Sequence, residues 1–328
     1  MAFARITGVG KYIPERHVTN AELEAIIDTN DAWISENIGV KTRSVIAPGE
    51  TIADMGTRAA AEALANSRRD DIGLVICATN SPDVLYPATA CRIAADLGLG
   101  HIPAYDLQAG CTGFLYALAQ ARAVVETQAK SVLVVGSDAL STGFLWKGDR
   151  NAVLFGDGAG AVVLSPSEKP GILAMHIGAE YSDAITLKTP ADSALNSPLY
   201  YLAGESERRT GDYYTKMNGR AIMKLSLAHV PKAIDTVLEH AGLAASDIDV
   251  FLPHQTNKHV IRKLADHVGF PYEKIPDVLS RHGSLSTAVI PVSLSLALES
   301  GLLRSGSRVL LCAYGAGFTF GAAVLEHR

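Results

Sequence analysis

The sequence has no run of about 18 apolar residues, so it carries no ordinary membrane-spanning helix. The opening stretch, MAFARITGVGKYIPERHVTN, lacks the basic, apolar and small-residue order of a signal peptide, and a cytoplasmic location is expected. Lys and Arg are scattered rather than clustered and the net charge is −5, which argues against both a nucleic-acid face and a polybasic membrane patch. The four cysteines, Cys77, Cys91, Cys111 and Cys312, show no C-x-x-C spacing, so neither a zinc site nor a disulfide framework is expected.

What is present is apolar material in quantity. Hydrophobic residues make up 48% of the 328 residues and charged ones 19%, enough for one large core or two domains sharing an interface. IGLVICATN, SVLVVGSDA, IDVFLPHQTN and RVLLCAYGAG read as strands buried on both faces, with helical patterns between them, which is an α/β arrangement. The chain also rhymes with itself: DDIGLVICATN with SDIDVFLPHQTN, KSVLVVGSDA with SRVLLCAYGAG, and FGDGAGAVVL with FTFGAAVL. The rhyme predicts a duplicated unit, 1–168 and 169–328. It also pairs YDLQAGCTGFLYALAQ with DVLSRHGSLSTAVIPVSLSLAL, each read as strand, small-residue turn and helix. A Ser-, Pro- and Gly-rich stretch over 179–212 breaks the rhyme and reads as an inserted loop or cap near substrate.

In such sheets the loops beyond the carboxyl ends of the strands collect functional groups. Cys111 lies in one of them, between a strand and the start of a helix, where unpaired N–H groups and the helix dipole are expected to lower a thiol pKa and expose a nucleophile. Cys77, Cys91 and Cys312 fall inside strand or helix patterns and are expected in the core. His254, in FLPHQTN, sits at a strand end on the same functional edge. His282, before a turn glycine, and His259, on a helix surface, are not expected to be catalytic bases. FGDGAG (155–160) resembles a dinucleotide loop only superficially, since a strand rather than a helix follows it. The N–H groups of YGAGF (314–318) are placed to serve an oxyanion if they point at the cysteine.

AGCTGFLYAL, PHQTN and RHGSLSTA, together with FGDGAGAVVL, YGAGFTFGAAVL and the opening ITGVGKYIPERHVTNAEL and DTNDAWI, resemble the β-ketoacyl-acyl carrier protein synthase III family over nearly the whole chain. The resemblance implies the thiolase fold: two βαβαβαββ halves in a five-layered α/β/α/β/α sandwich, usually a homodimer. It implies that Cys111 takes an acyl group from acyl-CoA and that His254 then assists decarboxylative condensation with a malonyl thioester. The family's asparagine in RHGNTSA falls on Ser284, whose hydroxyl is shorter than an amide and is free to donate elsewhere. Backbone N–H groups of Cys111 and Ala316 fall on the oxyanion hole. Trp33 and Arg150 fall on residues that stack on the adenine of coenzyme A, and Asn257 near its pantetheine arm. Thr29, Gly219 and Met223 belong to the same channel, and Asn37 stands where the family has a phosphate-contacting arginine. Lys258 or His259 matches a basic residue that docks acyl carrier protein. Tyr86 matches the residue that the partner subunit inserts at the floor of the acyl pocket. No permanently bound cofactor and no metal are implied. The substitution at Ser284 points to a specialised or secondary-metabolic member. It leaves open an acyltransferase that uses the same acyl-cysteine without condensation, and a weakly active thioester-binding partner subunit.

Overall fold

The computed structural model describes residues 2–144, 149–186 and 215–327; most of the inserted stretch expected over 179–212 lies outside them. Strands Phe3–Tyr12 (β1), Ile72–Ala78 (β2), Ala104–Leu107 (β3), Ser131–Ala139 (β4) and Asp157–Ser167 (β5) form one sheet in the order β1-β5-β4-β2-β3. Strands Ile172–Ser182 (β6), Val250–Pro253 (β7), Arg308–Gly315 (β8) and Gly317–Glu326 (β9) form a second, ordered β7-β8-β9-β6. In both sheets three successive strands starting from one edge, β1-β5-β4 or β6-β9-β8, pair antiparallel, and the third of them then pairs parallel with the next strand, β4 with β2 or β8 with β7. The rhyme in the sequence is therefore a rhyme in topology.

Six main helices pack on these sheets: Ile52–Ser67 (α1), Thr89–Asp96 (α2), Gly113–Gln128 (α3), Gly219–Ala241 (α4), Lys258–Val268 (α5) and Val289–Glu299 (α6). Strand periodicity sorts the core into layers. Along β8, Val309, Leu311 and Ala313 face α3 and α6, while Leu310, Cys312 and Tyr314 face α4 and α5. Along β4, Val132 and Val134 face the same central helices, and Leu133 and Val135 face α1 and α2. The result is α1/α2, sheet, α3/α6, sheet, α4/α5. The central pair is sealed on both sides, which explains why α6 is apolar almost all round.

Two expectations fail here. Cys77 and Cys312 are buried, but Cys91 is exposed on α2, where its Sγ donates to the Ala104 carbonyl. Its neighbours Ala90, Ile93 and Ala94 occupy the inward stripe of that helix, which leaves position 91 outside it. The strand expected before Ser284 is also absent. Gln255 Oε1 accepts from the Val278 and Leu279 amides, so these N–H groups are not available to a sheet, and Leu279–His282 forms a helical turn. A single bridge between Phe155 and Ser284 is all the pairing that remains.

Candidate active site

A cavity of about 630 Å³ runs inward from Trp33, Asn37, Arg150, Gly219, Arg220 and Asn257, and Cys111 and Gly315 lie along its wall. That volume suits a small-molecule site, and the lining is largely apolar. Cys111 stands just before Thr112, the N-cap of α3. Its chain segment crosses the end of β8 at main-chain contact: a Cβ on Gly315 would overlap the Cys111 amide nitrogen, and one on Gly110 would overlap the main chain of Ala316. Only glycine at both positions permits this crossing, which brings the amide nitrogens of Cys111 and Ala316 into one neighbourhood.

The electrostatics differ from the expectation for the thiol. A helix end contributes roughly 0.3–1 kcal/mol, less than the 1.4 kcal/mol or so that corresponds to one pH unit. Burial outweighs it and holds Cys111 at about 11, above the usual 9.0, even with a hydrogen bond from Ser286 pulling the other way. The resting cysteine is a thiol. His254 is fully buried, unlike Cys111, and is pushed down to about 3 by burial, so the imidazole is neutral. Its ring meets Tyr314 edge-on with centroids 5.3 Å apart, and neither ring nitrogen has a hydrogen-bond partner among the described residues. Ser284 is equally buried and its hydroxyl equally unpaired, although its backbone is fixed: its N–H donates to Leu154 O at 2.9 Å and its carbonyl accepts from Gly156 N at 3.1 Å. Three buried polar atoms without partners are uncommon in a folded interior.

Residues 105–180 match the family model for 3-oxoacyl-[acyl-carrier-protein (ACP)] synthase III, and residues 238–327 match the model for its C-terminal part. Over the whole of both chains the protein is 39% identical to a β-ketoacyl-[acyl-carrier-protein] synthase III of Thiobacillus denitrificans. The chain belongs to the β-ketoacyl-acyl carrier protein synthase III family. The solved synthase III of Thermus thermophilus superposes with a TM-score of 0.89 at 37% identity, covering 99% of each chain. The priming β-ketosynthase of the R1128 polyketide biosynthetic pathway gives 0.90 at 32% identity, covering 99% of this chain and 96% of that one. The five layers described above are thus those of the thiolase fold.

Of the positions that the synthase III resemblance singles out, Trp33, Asn37, Arg150, Gly219, Met223, Asn257 and Cys111 line the cavity. His254 and Ser284 lie behind its wall. Thr29 and Tyr86 are not among the lining residues; Tyr86 is 85% exposed, on a loop with Val84 and Leu85. Asn257, Lys258 and His259 have another use. Their side chains bond the carbonyls of Asn37, Ser35 and Glu36, capping the last turn of helix Asp31–Asn37. The Lys258 ammonium, at 2.9 Å from Ser35 O, is turned toward that helix. His282 bonds Ser44 Oγ at 3.0 Å, and its ring lies tilted against that of His17 with centroids 5.5 Å apart.

The sequence reading missed a polar group around Cys111. Thr256 Oγ1 and Tyr314 OH are 2.5 Å apart in the cavity wall. Asp138, fully buried at the end of β4, accepts from Thr79, Asn80, Ser81 and Thr287, and Asn80 reaches on to Ser286, which bonds the Cys111 sulfur. A buried aspartate in SVLVVGSDA was the available signal, since such a charge has to be surrounded by donors.

Proposed function

We propose that the protein is a decarboxylative condensing enzyme in which Cys111 is the nucleophile, His254 and Ser284 stabilise the enolate, and the N–H groups of Cys111 and Ala316 form the oxyanion hole. The observation that carries this reading is the glycine-enforced crossing of the Cys111 segment with the end of β8 in the cavity wall, where the neighbouring Tyr314 packs on the buried His254 ring. Acyl-CoA enters past Trp33 and Arg150, and its pantetheine arm runs along Gly219, Met223 and Asn257. Cys111 Sγ attacks the acyl carbonyl, the bond to the coenzyme A sulfur breaks, and the thiol proton leaves on that sulfur.

A malonyl thioester, delivered by acyl carrier protein, then takes the vacated channel. Its bond to the carboxylate breaks and releases CO2. The electron pair passes into an enolate whose oxygen accepts from His254 and Ser284. A neutral imidazole suits this step, because it donates one N–H and carries no charge to be desolvated. The enolate carbon attacks the acyl-Cys111 carbonyl. Collapse expels the thiolate, which takes a proton from water, and the β-ketoacyl thioester departs. We assign the chain two halves, 1–168 bearing Cys111 and 169–328 bearing His254 and Ser284. The exposed Val84–Leu85–Tyr86 loop suits insertion of Tyr86 into a second copy, as in a homodimer. The test is to incubate the protein with acyl-CoA, locate the added acyl mass at Cys111, and then supply malonyl-acyl carrier protein. The expected result is CO2 and a β-ketoacyl product, with both lost in Cys111→Ala; unmodified Cys111 with every thioester would end the proposal.

A further inference from the structure

Two serines follow the Gly283 turn, and they differ in what they touch. Ser284 Oγ has no hydrogen-bond partner among the described residues, whereas Ser286 Oγ donates to Cys111 Sγ at 3.5 Å. Ser286 is 1% exposed and holds a left-handed φ of +52°, a conformation that costs a serine on the order of 1–2 kcal/mol. The strain aims its side chain at the sulfur. The direction of its hydrogen is set by Asn80, whose Nδ2 donates to Ser286 Oγ at 3.2 Å. The orientation of that amide is set in turn by Asp138: Asn80 Nδ2 lies 3.3 Å from Asp138 Oδ2, and the opposite rotamer would press the amide oxygen against a carboxylate. With the Asn80 amide donating to one lone pair of the oxygen, the Ser286 O–H is turned away from that amide and toward sulfur.

We propose that Ser286 is a catalytic hydroxyl which stabilises negative charge on Cys111 Sγ, both as the sulfur attacks and as it leaves at the end of condensation, and that Asn80, anchored on Asp138, is its positioning residue. This rests on Cys111 being the nucleophile proposed above. Hydrogen bonds to a charged group are worth more than those to a neutral one, so Ser286 is weakly engaged at rest and strongly engaged whenever the thiolate forms. Burial holds the resting thiol high, which is why a donor at the sulfur has work to do.

The test is the alkylation of Cys111 by iodoacetamide, read by peptide mass so that exposed Cys91 does not interfere, from about pH 7 to pH 9.5. Ser286→Gly removes the hydroxyl and leaves a residue for which φ of +52° is unstrained. It is expected to slow alkylation about tenfold at each pH, displacing the profile by about one unit toward higher pH without changing its slope. Asn80→Ala, which keeps the hydroxyl but frees its rotation, is expected to slow it about threefold. Acylation by acyl-CoA should fall in step. A Ser286→Gly rate within twofold of the parent's overturns the proposal. Should that variant fail to fold, an unchanged rate in Asn80→Ala overturns it as well. A parent protein that alkylates normally but takes no acyl group from acyl-CoA would remove the condensing reading instead, and the two failures are thereby told apart.

Discussion

Ser284 and His254 pose the same physical problem, buried polar atoms with no hydrogen-bond partner among the described residues. Leaving such an atom unsatisfied costs about 1–3 kcal/mol, and the Ser284 hydroxyl and one ring nitrogen of His254 are both explained if the missing partner is the thioester oxygen that becomes the enolate. Ser284→Ala is therefore expected to leave acylation of Cys111 within about twofold of the parent and to slow decarboxylation of the malonyl thioester by about tenfold to a hundredfold. Ser284→Asn, which restores an amide donor, should recover it. Separate rates for acyl loading and CO2 release check both statements; equal loss in the two steps would make Ser284 a structural residue. The places of Cys111 and His254 just beyond strand ends were legible in the sequence, because each lies in a motif that follows an apolar strand run. The direction of the Cys111 pKa was not, because the crowding around the sulfur comes from β8 and the Ser286 loop, far away in the chain.

At the scale of elements, the cavity mouth depends on helix Asp31–Asn37, whose last carbonyls are capped by the first turn of α5. Asn257 serves at both ends of this junction: its Oδ1 accepts from His259 N at 2.9 Å as the N-cap of α5, and its Nδ2 donates to Asn37 O at 2.8 Å. Asn257→Ala removes both bonds at once. It should destabilise the fold by about 1 kcal/mol and raise KM for acyl-CoA severalfold with kcat little changed, measured by urea unfolding and by steady-state kinetics. The resemblance pointed to these residues as ligand contacts; their partners, more than two hundred positions away, leave no trace in local sequence. The strand expected before Ser284 failed for a similar reason, since the side chain that takes its amide hydrogens, Gln255, belongs to another loop.

For the whole molecule, the duplication was the most readable feature, because each sheet repeats the same strand directions and buried strands write their apolar runs directly into the sequence. The pH response of the fold was less readable. His254 is held near 3 and His282 near 4, each below the ordinary 6.5, in both cases chiefly through burial. The unfolded chain therefore binds protons at these sites that the folded chain does not, so stability falls as pH drops below about 6.5 toward 4, by up to about 1.4 kcal/mol per pH unit for each histidine. Urea unfolding at stepped pH should show this slope, and His282→Gln should reduce it by about one proton.

The fate of the acyl group on Cys111 is read most directly in a single turnover. Protein carrying a labelled acyl group on Cys111 is mixed with malonyl-acyl carrier protein, and the acyl-enzyme, CO2 and β-ketoacyl product are followed together. One CO2 and one β-ketoacyl thioester are expected for each acyl-Cys111 consumed if Cys111 carries the acyl group through condensation. Loss of the acyl group to water, an amine or a hydroxyl with no CO2 released would contradict it.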